Sequence, residues 1–405
     1  MKTPALLLAL AATLHAAPPE PKFRAVTIDD KIQIGYGVAV ADVDGDKLPD
    51  ILLADKKQFV WYRNPGAEKS GDPASWAKFV LAENLTEHDN VCLAAQDIDG
   101  DGKCEIAVGA EWNPGDTVNS GAVFYLIPPA DRTQKWEPVK FPNVEPTTHR
   151  MKWIEVPTDL GEPYWGLVVV PLHGRGNKNG EGVPVKVLLY HKPADVRGEW
   201  KGEIINESMH MTHNFDQMHD DFLAFCLGGK EGVSLIFYVK DKWVSHLEEF
   251  GQTGGIGELR EGKIGGGHPI IAAIEPMHGN RLVINFPVTK KLTGNDVNEH
   301  GTSRTVTDQL IDGHALACGD LLGVGSDQIV VGWRAMGKPE AKVGIHLWTP
   351  FDPEGKDWRD SAVDDGGMAC EDLVLADLNG DGKLDIIASG RATHNVKIYF
   401  NETAR

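Results

Sequence analysis

Cysteine is scarce: the chain has five in 405 residues, at positions 92, 104, 226, 318 and 370. The number is odd and most sit in apolar, strand-like runs. They read as buried free thiols, which excludes a disulfide framework. Basic charge is also short, with 40 Lys and Arg against 59 Asp and Glu and a net charge of −19. Such a surface repels a phosphate backbone and argues against nucleic acid as a partner. No mature segment is apolar for long enough to span a bilayer. The apolar stretch Ala5 to Leu14 is short, preceded by Lys2 and followed by Ala16, Ala17 and Pro18. That is the layout of a secretory leader over residues 1–17, and it predicts a secreted or periplasmic protein. After the leader, no stretch shows convincing amphipathic-helix periodicity. With 41% hydrophobic and 24% charged residues, the chain is nevertheless globular in composition.

Acidic loops between short apolar runs are what the sequence has in quantity. In one, Asp377, Asn379 and Asp381 alternate with Leu378, Gly380 and Gly382, and Asp385 closes the loop before Ile386. Alternate spacing puts the side-chain oxygens on one side of a tight turn, and glycine tolerates the positive φ such a turn needs. Oxygen-only, carboxylate-rich ligation suits calcium. Asp42, Asp44, Asp46 and Asp50 repeat the pattern, as do Asp97, Asp99, Asp101 and Glu105. A degenerate copy runs from Gly319 to Gln328, and a hairpin from Asn214 to Cys226 keeps the placement but has lost most of the acidic pattern. Calcium in these loops is expected to be structural, clamping the turns.

Each loop joins two strands, and further strands follow, such as Phe59–Tyr62 and Val396–Phe400. Fourth strands open on Trp76, Trp136, Trp200, Trp243 and Trp358, which are expected to pack between repeats. Seven such units predict an all-β, seven-bladed β-propeller of four-stranded antiparallel blades, one domain over residues 22–402. The last unit has only three strands, so the unpaired segment Phe23–Ile28 should close the ring as its outer strand. Three short glycosylation sequons begin at Asn84, Asn206 and Asn401.

In this fold, residues just before first strands and just after second strands converge on one mouth. The first set contains His88, His149, His213, Glu258, His314 and Glu371; the second contains Trp112, His173, Lys230, His278, Trp333, Arg334 and Arg391. So many histidines placed by blade geometry point to a metal at that mouth.

The acidic loops resemble the FG-GAP and VCBS repeats of integrin-like and bacterial propellers, a resemblance that speaks to fold and not to function. Further segments, Thr148–Met151, Met211–Asp216, Glu275–Asn280, Asp312–Leu316 and Met368–Asp372, are similar to the propeller domain of aldos-2-ulose dehydratase/isomerase and its secreted bacterial relatives. That resemblance implies a zinc ion in the mouth, a carbohydrate substrate bearing a keto group, and loss of water or a glycosidic group by β-elimination. Since this chain ends after the propeller, without cupin or lectin-like domains, the elimination is the step expected. On this reading His213, His278 and His314 are the zinc ligands, His149 is the base, and His88 is the second choice for that role. Lys230, Arg334, Arg391 and Glu371 would contact the sugar, and Trp112 or Trp333 would stack on its ring. Two other readings stay open: a uronate-polysaccharide lyase with a histidine-bound metal, and a non-catalytic, calcium-stabilised propeller that binds a glycan or a protein.

Overall fold

The computed structural model describes residues 17–158, 161–218, 223–248, 250, 254–287, 301–338 and 340–404. Most of the leader expected over 1–17 lies outside the described residues. Among the described residues the chain forms seven four-stranded antiparallel sheets and one short 3-10 turn, Pro73–Ser75. The innermost strands are Gly37–Ala41, Cys92–Gln96, Thr148–Val156, Thr212–Met218, Leu259–Ile264, Gly313–Gly319 and Cys370–Ala376, for blades one to seven. Blade seven is completed by the N-terminal strand Phe23–Asp29, which pairs with Asn395–Asn401 as the sequence predicts. No helix among the described residues is long and apolar enough to cross a membrane.

Sequence pattern and position in the blade agree. Second strands such as Asp50–Ala54, Glu105–Ala110 and Asp385–Gly390 are buried at every residue, because a neighbouring blade covers each face. Outer strands such as Lys242–Glu248 face water and are mostly polar. The apolar residues fall into seven clusters, one between each pair of adjacent blades. Each fully buried Leu or Ile there contributes about 2 kcal/mol. The tryptophans do what was expected of them: Trp76, Trp136 and Trp200 are buried in these clusters, and Trp243 and Trp358 pack against them. All five cysteines are unpaired. The sequon residues Asn206 and Asn401 are buried, with their amide nitrogens hydrogen-bonded inside the protein. The innermost strands surround a central channel of about 500 Å³.

Four innermost strands begin with an irregularity. Pairing slips between Thr148 and Arg150, Thr212 and Phe215, Gly313 and Ala315, and Cys370 and Asp372. The residues inside the slips include His149, His213, His314 and Glu371. A bulge inserts an extra residue into the ladder and re-aims its side chain. In blades three, four, six and seven it therefore turns these side chains out of the strand alternation.

Candidate functional site

The bulged histidines are oriented one blade forward. His149 Nδ1 lies 2.7 Å from the carbonyl oxygen of His213, and His314 Nδ1 lies 2.6 Å from that of Glu371. A carbonyl only accepts, so each Nδ1 carries the proton and each Nε2 keeps its lone pair. His213 Nδ1 faces Oε1 of the buried Glu258 at 3.1 Å, a close contact without hydrogen-bond alignment. Its proton is thereby placed on Nδ1 as well.

These rings meet. His213, His278 and His314 each bring a ring nitrogen to within 4.8 Å of the others. Ring centroids are 4.6 Å apart for His213 and His278, 4.7 Å for His278 and His314, and 5.6 Å for His213 and His314. His149 packs edge-on against His213 at 4.5 Å and stacks under Trp112 at 5.0 Å. Burial, with Arg150 close by, pushes the His149 pKa well below the usual histidine value. Burial does the same to His314, reinforced by Arg334. His213 is lowered by burial although Glu258 pulls the other way. His278 stands open to solvent, but the atoms packed about its ring, with His213 and Arg334, push it down too. The cluster is a set of neutral imidazoles, the form that binds a metal.

His213 and His314 are preset as Nε2 ligands, while His278 is not. Its Nδ1 is 3.2 Å from Arg334, which can only donate, and its Nε2 is 2.7 Å from His213 Nε2. His278 thus holds its proton on Nε2 and hydrogen-bonds the ring opposite. To ligate through Nε2 it must move that proton to Nδ1 and turn from Arg334. The misaligned, buried His213 Nδ1 and Glu258 Oε1 also show a site whose polar groups are incompletely paired as it stands. Three imidazole donors with a carboxylate behind one of them fit zinc or a similar divalent ion.

The other expected site residues divide. Glu371 is buried between Arg334, with contacts of 2.9 and 3.1 Å, and Arg391, at 2.9 Å. Arg334 also binds Asp312, and Arg391 lies over the Tyr36 ring. These three form one ion-paired wall beside His278. Trp112 reaches the site through its stack on His149. Lys230 instead reaches the carbonyl of Gly180 at 2.9 Å, and Trp333 donates to the Lys342 carbonyl and packs on His346. His88 lies four residues before its strand, exposed on the rim and paired with Glu111 at 2.5 Å, which raises its pKa. No contact links it to the three-histidine cluster among the described residues. Two residues given no role from sequence are central here. Glu258 takes the strand-start place in blade five, and Arg150 follows His149 and donates to its Nε2 at 3.1 Å. The strand-start rule already pointed to Glu258; Arg150 carried no signal beyond its neighbour.

On the opposite face, the first aspartate of each acidic loop accepts two backbone N–H groups, as Asp42 does from Gly45 and Lys47. Asp97 and Asp377 repeat this. The closing residues Asp50, Glu105 and Asp385 accept from the loop at Val43, Ile98 and Leu378. Asp42, Asp44 and Asp50 bring oxygens within 4.8 Å of one another, as do Asp97, Asp99 and Asp101. Burial raises Asp50 to about 7, with Asp44 and Asp46 adding to it, and raises Asp385 to about 6, with Asp381 and Asp377 adding.

A channel ringed by seven blades, with loops of this kind on one face and histidines at the other, defines a β-propeller. Residues 35–108 match the FG-GAP-like repeat, so the chain is a β-propeller that carries a match to that repeat in its first two blades. No curated protein matches the chain. Among solved structures, the crystal structure of BBS1N in complex with ARL6DN is similar at 10% identity and a TM-score of 0.52, covering 95% of this chain and 96% of that one. The hydrazine synthase of Kuenenia stuttgartiensis is similar at 11% identity and a TM-score of 0.52, covering 91% and 95%. At such identities the likeness is one of fold.

Proposed function

We propose that the mouth is the active site of a zinc-dependent lyase that carries out β-elimination on a keto sugar or a 3-keto-glycoside. The observation that carries this reading is the convergence of His213, His278 and His314 from three successive blades, next to a fourth, neutral histidine. Zinc held by the three rings would polarise the substrate carbonyl and stabilise the negative charge that builds on its oxygen as the neighbouring C–H is lost. His149 is set to accept that proton. Its Nδ1–H is tied to the His213 carbonyl, its ring face is fixed by Trp112, and its low pKa leaves Nε2 unprotonated. Arg150 covers that lone pair at 3.1 Å and must shift to a substrate oxygen for the base to act. Glu371 with Arg334 and Arg391 offers fixed charges for sugar hydroxyls. Calcium in the acidic loops is part of the same reading. It would bind Asp42, Asp44, Asp46 and Asp50, and the equivalent residues of the other two loops, and relieve the mutual repulsion that adds to burial in raising Asp46 and Asp50.

The test uses protein stripped with a chelator and assayed by enone absorbance on 1,5-anhydrofructose and on 3-keto-glycosides. Activity should vanish and return with zinc; full activity without metal overturns the reading. Turnover of unoxidised oligouronides would instead move the substrate class to uronate polysaccharides.

A further inference from the structure

Glu258 and Arg150 form a charge pair built against the histidine cluster. Glu258 is 1% exposed, and its Oε1 lies 3.1 Å from His213 Nδ1 and 3.6 Å from Arg150 NH2. Asn214 donates to its other oxygen, and Arg260 stands 3.7 Å away. Arg150 starts in blade three and reaches Glu258 in blade five, so its guanidinium crosses beside His149 and His213. Its guanidinium, 3.1 Å from His149 Nε2 and 3.6 Å from Glu258, is a fixed positive charge that any cation entering the cluster would meet. Glu258 does the reverse: its carboxylate stands 3.1 Å behind His213 Nδ1 and draws positive charge towards the cluster.

We propose that these two residues, neither of which is a zinc ligand in the lyase reading, set the metal affinity of the site in opposite senses. Glu258 is a positioning residue. It fixes the His213 ring with its proton on Nδ1 and makes Nε2 a better donor, as carboxylates behind metal-bound histidines do. Arg150 is the resident counter-ion of Glu258, and a metal entering the cluster competes with it for the same carboxylate. The inference rests on the metal site of the proposed function but not on its chemistry.

Zinc affinity of the full-length protein is measured by competition with a chromophoric chelator, without substrate. Glu258→Gln should weaken zinc about 10–100-fold. Arg150→Met should tighten it, by several-fold or more, because one positive charge beside the site is removed. Arg150→Lys keeps the charge and should stay near wild type. Circular dichroism and melting confirm the fold of each variant. Should Glu258→Gln not fold, the contrast between tighter zinc in Arg150→Met and near-wild-type zinc in Arg150→Lys still decides. Wild-type affinity in a folded Glu258→Gln, or weaker zinc in Arg150→Met, overturns the proposal while leaving the lyase reading intact. A zinc-binding protein with no lyase activity overturns the lyase reading alone. A wild type that binds no zinc overturns both.

Discussion

At the scale of single residues, three of the four histidines make separable predictions. His149→Ala should leave fold and zinc content intact and lower turnover by about 10²–10⁴-fold, the scale of lost acid–base help. His213→Ala should lose metal and activity together, because its Nε2 is preset as a donor. His278→Ala should weaken zinc less than His213→Ala, since His278 must first give up its contacts with Arg334 and His213. Chelator competition on the three variants checks the order; equal losses would show that His278 is as well prepared as the others. The sequence told which blade and which end each residue occupies, because that follows from repeat counting. It could not tell direction. Long or broad side chains leave the place where their backbone sits: Lys230 curls onto Gly180, and Trp333 turns to His346. The bulges at His149, His213 and His314 also carry no local signature, so these residues read as ordinary strand starts.

At the scale of the element, the acidic loops share a frame that works without the full set of acids. In the degenerate loop Asp320 accepts from Val324 and Gly325, and Gln328 accepts from Leu322 at 2.8 Å, the places taken elsewhere by the first aspartate and the closing carboxylate. Leu322 and Val324 stand where the other loops have Asp or Asn, so this copy should bind no calcium. Asp381→Ala should therefore lower the melting temperature and shrink its rise with added calcium, with activity per folded molecule unchanged. Gln328→Ala should cost about 1–3 kcal/mol, by leaving the Leu322 N–H unpaired, and leave the calcium response as it was. Melting curves with calcium and with a calcium chelator separate the two. An unchanged calcium response in Asp381→Ala would remove that loop from the calcium set. Here the spacing made the loops visible in the sequence. The second duty of Asp50, Glu105 and Asp385, holding loop backbone, shows only once the strands are in place.

For the whole molecule, the ring has one seam, and Asp29 fastens it. The strand Phe23–Asp29 belongs to blade seven through its pairing with Asn395–Asn401, aided by Arg24 on Glu402 and over Phe400. At its far end, Asp29 accepts from Tyr62 and Lys78 of blade one, both at 2.7 Å. Burial alone would raise its pKa, but those two bonds, with the Lys31 N–H bond and the Lys78 charge, together outweigh it, and the value lies below the ordinary 3.8. A lowered carboxylate pKa means that folding favours the ionised form. The stabilisation is complete above about pH 4 and fades as the pH falls through the folded-state value. Asp29→Asn keeps the shape and loses the charge. It should cost about 1–2 kcal/mol at pH 7, an amount that shifts melting by a few degrees in a chain of this size. The gap between variant and wild type should close as the pH is lowered below about 4 and wild-type Asp29 takes up its proton. A gap that stays constant with pH would show that the seam is held by strand pairing alone.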